Sequence, residues 1–366
     1  MSGYATDINL ILFLLLIPYL YIMMRVYKGL TLIKPVKPGA VPTLKLSVII
    51  ATNKGPAEME DLLRDLAVQN YNHTDYEVII ADDSGGKWNS VTGHADIPYP
   101  EVIIIPNPGK GKKSALLNGV MAAGGDLVIT TDDDCRVGPG WLLSIASFYK
   151  LTKSDMILCP VELTGEDKLF IRLQQLEFSS LQGVTAGSAV FGDPLMCNGA
   201  GLAFRRDIYP DKIETLKSMI PSGDDTFFLH WLKKKGAVIS WLESDEAIVR
   251  TVALPGLWAF LRQRTRWASK SVFYNDFSTI VTGAIVLLTS VVTGALMISC
   301  FFNPDIIAAT VVVLLVKSVP DILIVMNRLQ FHNKTELLVW FPLVQIVYPF
   351  YVILTFAMGL FHRREW

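Results

Sequence analysis

The sequence predicts an α/β protein in two parts, a mostly parallel β-sheet flanked by helices and a set of transmembrane helices. Apolar strand-like runs alternate with helix-like segments over residues 40–250, a pattern typical of a parallel sheet covered on both faces. The chain is also 51% hydrophobic and only 18% charged, whereas soluble domains carry about 25% charged residues. This composition excludes a purely soluble enzyme.

The apolar excess lies in four stretches, 8–24, 277–304, 306–327 and 337–361, whose only charged residues are Lys317 and Asp321. The last three are long enough to cross a bilayer, for which a helix needs roughly 17–25 residues, and the first is marginal. Basic residues follow the first stretch rather than precede it, which favours a retained anchor over a cleaved signal peptide. Lys317 and Asp321 are four residues apart, so we expect an ion pair within one helix.

Basic residues in short flanking loops collect on the cytoplasmic side of a membrane. Arg25, Lys28, Lys34 and Lys37 follow the first stretch, so the segment after it is predicted to be cytoplasmic. Pro342 and Pro349 leave two alternatives open for the last stretch, a full crossing or a re-entrant pair. The predicted segments are a transmembrane anchor, a cytoplasmic α/β domain, an interfacial segment and C-terminal transmembrane helices, at residues 1–27, 40–250, 251–276 and 277–366.

Within the α/β part, the predicted strands are 46–51, 77–81, 101–105 and 126–131, and the predicted helices are 58–69, 113–123 and 226–235. The second strand is followed by Asp82 and Asp83, and the fourth by Asp132, Asp133 and Asp134. Ligands bind at the carboxyl ends of strands in such sheets. The acidic residues are therefore candidates for a binding site.

Carboxylates that converge on one crevice repel one another unless a positive charge separates them. A hard divalent cation such as Mg²⁺ or Mn²⁺ prefers carboxylate oxygens and retains sites for phosphate. The alternative is a pair of solvated turns, in which Asp is common. The segment 109–114, Gly-Lys-Gly-Lys-Lys-Ser, is typical of a phosphate-binding loop before a helix, although its spacing is not that of a Walker A motif.

Two downstream segments each have a structural and a functional interpretation. Asp224 and Asp225 precede the helix predicted at 226–235, where acidic residues act as helix caps. Gln263, Arg266 and Trp267 form a Q-x-x-R-W motif before the second apolar stretch, where Arg and Trp are also common as an interfacial belt.

Taken in order, the segments over residues 46–272 resemble the inverting family 2 glycosyltransferases with a Rossmann-like GT-A fold, in the membrane-integrated branch that includes the ceramide glucosyltransferase and the cellulose and hyaluronan synthases. The resemblance implies a nucleotide-diphosphate sugar as donor and Mg or Mn as cofactor. It implies Asp225 as catalytic base, and Asp132 and Asp134 as metal ligands. The residues it implies at the donor are Thr52, Asn53, Asp82, Asp83, Lys112, Asp132, Gln263, Arg266 and Trp267. The sequence departs from the family wording around Lys112, and at Asp224, where Glu is more common.

The function that follows is metal-dependent transfer of a sugar to a hydroxyl of a membrane-associated acceptor, with lipids among the candidates and with inversion at the anomeric carbon. The catalytic domain is expected on the cytoplasmic side of a plasma or inner membrane. A processive polysaccharide synthase and a non-catalytic membrane scaffold or transporter are the alternatives. The net charge is −1 and no long basic tail is present, so no nucleic-acid partner is predicted. The four cysteines contain no C-x-x-C pair, which argues against a zinc site.

Overall fold

The computed structural model describes residues 2–39, 43–88, 101–212, 216, 220 and 223–361, with side chains from residue 16 onward. In chain order, the helices are α1 Ser2–Leu32, α2 Glu60–Ala67, α3 Lys112–Ala122, α4 Trp141–Thr152, α5 Leu169–Ala189, α6 Asp224–Lys234, α7 Leu257–Ala268, α8 Phe277–Ser299, α9 Ile307–Phe331 and α10 Phe341–Phe361. The strands are β1 Leu46–Thr52, β2 Tyr76–Asp82, β3 Glu101–Pro106, β4 Leu127–Thr130, β5 Arg136–Val137, β6 Met156–Leu158, β7 Val161–Thr164, β8 Leu202–Arg205, β9 Ile239–Trp241 and β10 Val249–Val252.

The chain divides into two compact units. The sheet unit consists mainly of Ile33–Thr164 and Met196–Val252, and the helical unit of Met1–Leu32, Gly165–Leu195 and Ala253–Arg363. The helix α5 lies inside the segment predicted to be the cytoplasmic domain, yet it groups with the helical unit.

The sheet unit is built on a mixed sheet whose described strands have the order β3-β2-β1-β4-β8-β6-β9. The strands β1 to β4 are parallel to one another, and β6 is parallel to β9, while β8 runs antiparallel to both β4 and β6. A smaller sheet has the order β5-β10-β7. The predicted α/β class with a mostly parallel sheet is confirmed.

The strand β1 lies in the interior of the sheet, between β2 and β4, and its Leu46, Val48, Ile49 and Ile50 are at most 1% exposed. An uninterrupted apolar run is expected of a parallel strand buried on both faces. The strand β3 differs from that expectation, because its residues are exposed or half-buried. It lies at the edge of the described sheet, where it pairs with β2 alone.

The helical unit contains three helical segments long and apolar enough to cross a membrane, counted over the described residues: Phe277–Ser299, Pro304–Phe331 and Thr335–Phe361. The helix α1 covers the first apolar stretch, and its assignment as a membrane anchor stays a prediction. Pro349 lies inside α10 without interrupting it. The last stretch therefore forms one continuous helix from Phe341, rather than the broken pair that the two prolines allowed.

The predicted ion pair within α9 is present. The ammonium of Lys317 lies 2.7 Å from Asp321 and donates to the Gln345 amide oxygen at 2.9 Å. The Asp321 carboxylate also accepts from the hydroxyl of Tyr19 at 2.6 Å. These contacts tie α1, α9 and α10 together inside the helical unit.

The helices α1 and α5 pack through glycines. A Cβ at Gly187 would collide with the carbonyl oxygen of Val26, and one at Gly29 would collide with that of Gly187. Four residues earlier on α5, a Cβ at Gly183 would meet Ile324 of α9. Small residues at this spacing allow the close backbone approach common among membrane helices. This packing explains why α5 belongs to the helical unit.

Candidate active site

The predicted acidic residues lie at one edge of the sheet. Thr52 pairs with Asp82 at the carboxyl ends of β1 and β2, and Asp82 pairs with Pro106 at the end of β3. The parallel strand β4 ends at Thr130, two residues before Asp132. The structure thus brings the first and second acidic segments to the same crevice, as the strand order requires.

The first acidic pair shapes the loop that follows β3. Asp82 is 6% exposed and accepts a hydrogen bond from the Ser84 amide at 2.7 Å. Asp83 accepts from the Asn107 side-chain amide at 2.7 Å and from the Gly111 amide at 2.9 Å. Asp83 therefore holds the segment 109–114 against the end of β2.

Asn107 is the hub of this loop. Its side-chain oxygen accepts from the Gly109 amide at 3.1 Å, from the Ser114 hydroxyl at 2.7 Å and from the Asn118 amide at 3.1 Å. The sequence reasoning missed Asn107. The sequence feature that could have identified Asn107 is its position directly after β3, because the neighbouring strand β2 ends at the two aspartates.

The two lysines that follow this loop have different environments. Lys112 is half-buried and pairs with Asp132. Burial lowers the pKa of Lys112, but Asp132, Asp224 and Asp225 together outweigh burial and raise that pKa above its ordinary value. Lys113 is 4% exposed and donates to the Leu216 carbonyl at 2.7 Å. Lys112 is thus the lysine that lies beside the acidic residues, and its role at the donor stays a prediction.

The middle residue of the three aspartates is held by β1. Asp133 accepts from the Thr52 hydroxyl at 2.6 Å and from the Lys54 ammonium at 2.7 Å. Asn53 between them is exposed, and its carbonyl accepts from Lys87 at 3.2 Å. Lys54 is a second residue that the sequence reasoning missed, although it directly follows two predicted site residues.

The pKa of Asp134 shows the repulsion between the carboxylates of the cluster. Desolvation and the neighbouring Asp132 carboxylate raise the pKa of Asp134, against the opposing effect of Lys54. Among the residues that the structure describes, no preformed group of three or more metal-binding side chains occurs. Asp132 and Asp134 are nevertheless two hard oxygen donors beside one another, so the donor set fits Mg²⁺ or Mn²⁺.

The alternative interpretation of Asp224 and Asp225 as caps of α6 is wrong, and the role of Asp225 as catalytic base stays a prediction. The helix begins at Asp224, and its N-cap is Gly223 with φ 83°, a left-handed conformation that glycine adopts without strain. Asp225 instead lies in the first turn, where its carboxylate accepts from the Thr226 amide at 2.7 Å and from the Gly199 amide at 3.1 Å. Because Asp224 and Asp225 both act on the charge of Lys112, the first turn of α6 belongs to the same cluster as Asp132.

The Q-x-x-R-W motif lies on α7, in the helical unit. Arg266 is exposed and makes no ion pair among the described residues. The neighbouring Arg264, which the sequence reasoning passed over, is 4% exposed and pairs with Glu177 at 2.6 Å. Gln263 accepts from Arg264 at 2.5 Å, and Trp267 lies over the Arg264 guanidinium.

Residues 47–211, which contain both acidic segments, match the model of glycosyl transferase family 2. This segment is therefore similar to glycosyl transferase family 2. The match extends over β1 to β8, includes α5 of the helical unit, and ends before α6.

Two curated proteins with similar sequences are named as glycosyltransferases. The chain is 27% identical over 244 residues to an N-acetylglucosaminyltransferase of Sinorhizobium fredii, an alignment that covers 63% of this chain and 57% of that protein. It is 24% identical over 272 residues to an N-acetylglucosaminyltransferase of Mesorhizobium japonicum, covering 70% of this chain and 63% of that protein. The chain thus spans about three fifths of the length of these relatives.

Among solved structures, the fold is similar to that of a mannosyltransferase from Pyrobaculum calidifontis in complex with GDP-Man and Mn²⁺. The TM-score is 0.51 at 16% sequence identity, and the superposition covers 96% of this chain and 98% of that one. At this identity the likeness concerns the fold alone. It confirms the predicted GT-A architecture of the family 2 domain.

Proposed function

We propose that this chain is a membrane-bound glycosyltransferase that moves a sugar from a nucleotide-diphosphate sugar to a hydroxyl of a membrane-associated acceptor. The observation that carries the proposal is the cluster of Lys112, Asp132 and the first turn of α6, of which Lys112 and Asp132 lie in the segment that matches family 2. It combines a cation, candidate metal ligands and a candidate base at one edge of the sheet. Two relatives named as N-acetylglucosaminyltransferases make an N-acetylglucosaminyl donor the first to test.

Donor binding is assigned to the ends of β1 and β2. Thr52, Asn53, Asp82 and Asp83 line the edge where nucleotides bind in open α/β sheets. Asp82 is held by the Ser84 amide and Asp83 by the Gly111 amide, so both carboxylates have fixed directions before a donor arrives. Preorganised acceptors suit the hydroxyls of a ribose or the edge of a base.

The diphosphate leaving group needs positive charge. Asp132 and Asp134 would hold a divalent cation, which supplies Lewis-acid neutralisation of the developing negative charge when bound. Lys112 provides a second positive charge beside Asp132. Arg266, exposed and without an ion-pair partner among the described residues, is available for an anionic group of the donor, with Gln263 and Trp267 flanking it on α7.

Asp225 is the proposed base. Its carboxylate is fixed by the Gly199 and Thr226 amides, and it accepts the proton of the acceptor hydroxyl as that oxygen attacks the anomeric carbon. Attack opposite the leaving group inverts the anomeric configuration. The single displacement needs no second nucleophile, so one positioned base is sufficient.

Membrane integration with the sheet unit in the cytoplasm, and a lipid acceptor, are part of the proposal. They are supported by three apolar helical segments of sufficient length and by the basic residues that follow the first stretch. The structure offers little to a transport function, because Lys317 and Asp321 are already paired with each other and with Tyr19 and Gln345. A processive synthase differs in product length alone, so product size distinguishes it from single transfer.

The test is a donor screen on purified protein in lipid nanodiscs, with release of free nucleoside diphosphate as the readout. Hydrolysis or transfer is expected with one donor in the presence of Mn²⁺ or Mg²⁺, and is expected to stop in excess chelator. Asp134→Asn is expected to remove metal-dependent activity. The matched control is Asp61→Asn, because the Asp61 side chain is 70% exposed and lies outside the cluster. Full activity in excess chelator contradicts the metal assignment, and release from no donor contradicts the function.

A further inference from the structure

Arg264 lies inside the Q-x-x-R-W motif but is not one of its signature residues. Its side chain is 4% exposed, although a guanidinium remains charged at any physiological pH. A buried charge is strongly unfavourable unless it is paired and its donors are satisfied. The partner is Glu177 of α5, which accepts from Arg264 Nη2 at 2.6 Å and from Nε at 3.2 Å. This two-point contact fixes the orientation of the guanidinium plane as well as its position.

A third helix completes the junction. The hydroxyl of Tyr351 on α10 donates to Glu177 at 3.2 Å, and the Tyr351 ring stacks on Phe260 of α7 with centroids 5.6 Å apart. The Glu177 carboxylate therefore receives donors from both α7 and α10. The pair connects three helices of the helical unit.

The remaining surface of the guanidinium contacts two signature residues of the motif. Its central carbon lies 4.1 Å from the centroid of the Trp267 ring, and its Nη1 donates to the Gln263 side-chain oxygen at 2.5 Å. Trp267 and Gln263 thus rest on a group whose own position is fixed by Glu177. Arg266 differs from Arg264, because it is exposed and belongs to no ion pair among the described residues.

We propose that Glu177 and Arg264 are positioning residues for the Q-x-x-R-W motif. The buried pair sets the geometry of the Gln263 amide and the Trp267 indole, and leaves Arg266 as the arginine of the motif that binds ligand. This inference rests on the proposed function, because it treats the motif as part of the catalytic machinery. The competing explanation is that the pair only fastens α7 to its neighbours.

Three variants separate these explanations: Glu177→Gln, Arg264→Met and the double variant. Each single variant leaves one buried charge without a partner and is expected to lower thermal stability. The double variant removes both charges at similar volume, a change that is often neutral or stabilising. It is expected to recover the unfolding temperature while the turnover number stays about 10- to 100-fold below wild type, the size of effect that a small misplacement of a reacting group produces. Donor affinity, measured by nucleotide binding, is expected to fall less than turnover, because the donor residues at the ends of β1 and β2 are unchanged.

The matched control is Arg172→Met. Arg172 lies near the start of α5, the helix that contains Glu177, and pairs with Asp167. This ion pair is exposed and contacts no motif residue. Its loss is expected to leave both stability and turnover unchanged.

A readout independent of activity is fluorine NMR of protein labelled with 5-fluorotryptophan, with the Trp267 resonance assigned from Trp267→Phe. In the double variant this resonance is expected to shift or broaden, while those of Trp88 and Trp141 in the sheet unit stay in place. An unchanged Trp267 resonance, or recovery of turnover together with stability, overturns the proposal. If the wild-type protein transfers no sugar, the proposed function fails, and the fluorine spectrum still decides whether the pair positions Trp267.

Discussion

Replacing Asp225 with Asn separates the catalytic from the structural role of this carboxylate. The structure gives the size of the structural effect. Asn retains one side-chain oxygen for the Thr226 amide, but its NH₂ group cannot accept from the Gly199 amide that lies 3.1 Å from the present carboxylate. Losing that bond and the attraction of a negative charge to the first turn of α6 is expected to lower the free energy of unfolding by about 1–3 kcal/mol.

The expected effect on the rate is larger. A positioned general base contributes about 10²–10⁴-fold, which corresponds to about 2.7–5.5 kcal/mol of activation free energy. Donor binding should persist, because Asp82 and Asp83 are fixed by the Ser84 and Gly111 amides and not by Asp225. The variant is therefore expected to fold, bind donor and fail to transfer.

The assay measures nucleotide affinity, transfer rate and thermal unfolding on one preparation. Glu60→Gln is the matched control, because Glu60 also lies in the first turn of a helix of the sheet unit and its side chain is 55% exposed. It removes the same interaction with a helix dipole without touching the cluster. Wild-type turnover in Asp225→Asn would refute the base assignment, and loss of donor binding would show that the carboxylate is structural.

Three other outcomes are expected. Lys112→Met removes the cation that pairs with Asp132 and that would compete with a metal ion for this carboxylate. Mn²⁺ affinity without nucleotide, measured by the EPR signal of the free ion, should rise by up to about fivefold, the equivalent of an ion pair near 1 kcal/mol. Weaker Mn²⁺ binding contradicts this competition. A cysteine introduced as Ser84→Cys should resist an impermeant maleimide in intact cells and react after permeabilisation, and labelling of intact cells contradicts the cytoplasmic assignment. Burial raises the pKa of the Cys159 thiol to about 12, so at pH 8 only about one thiol in 10⁴ is ionised. Iodoacetamide should therefore label Cys159 only after unfolding. Labelling of the folded protein, detected by mass spectrometry, contradicts that burial.

The acidic edge of the sheet could be predicted because it depends on residues that are adjacent in the sequence. A buried apolar run specifies a parallel strand, and aspartates directly after it must lie at the carboxyl edge wherever the strand sits in the order. Asp82, Asp83 and Asp132 follow this rule. Asn107 could not be found by this rule. Its side-chain oxygen accepts hydrogen bonds from three residues of the following loop and helix, and these residues come together only after β3 and α3 have packed.

The first turn of α6 shows how a local rule fails by two residues. Asp is a favoured cap, so a helix starting at Thr226 was the natural prediction. Gly223 can adopt φ 83°, and this lets the helix begin at Asp224 instead. The carboxylates then lie in the first turn, where Asp225 reaches the Gly199 amide and Asp224 acts on Lys112.

The burial of Arg264 and the placement of α5 depend on contacts far apart in the sequence. Nothing near residue 264 indicates that Glu177 is its partner, because 87 residues separate them. Likewise, the polar and small side chains of α5 are compatible with a helix of the soluble domain. Its glycines identify it as a helix of the other unit only once Val26 and Ile324 are known to face them.

The assignment of α5 to the helical unit has a practical consequence for dissecting this protein. The sheet unit is discontinuous, since Ile33–Thr164 and Met196–Val252 flank an insertion, Gly165–Leu195, that belongs elsewhere. A soluble fragment cut at residues 33 and 252 would retain α5, with Glu177 stripped of Arg264 and the glycine face deprived of α1. Truncation at the two ends alone therefore cannot isolate the sheet unit. A fragment in which a short Gly/Ser linker replaces residues 165–195 is the better route to testing the proposed donor binding of the sheet unit by itself.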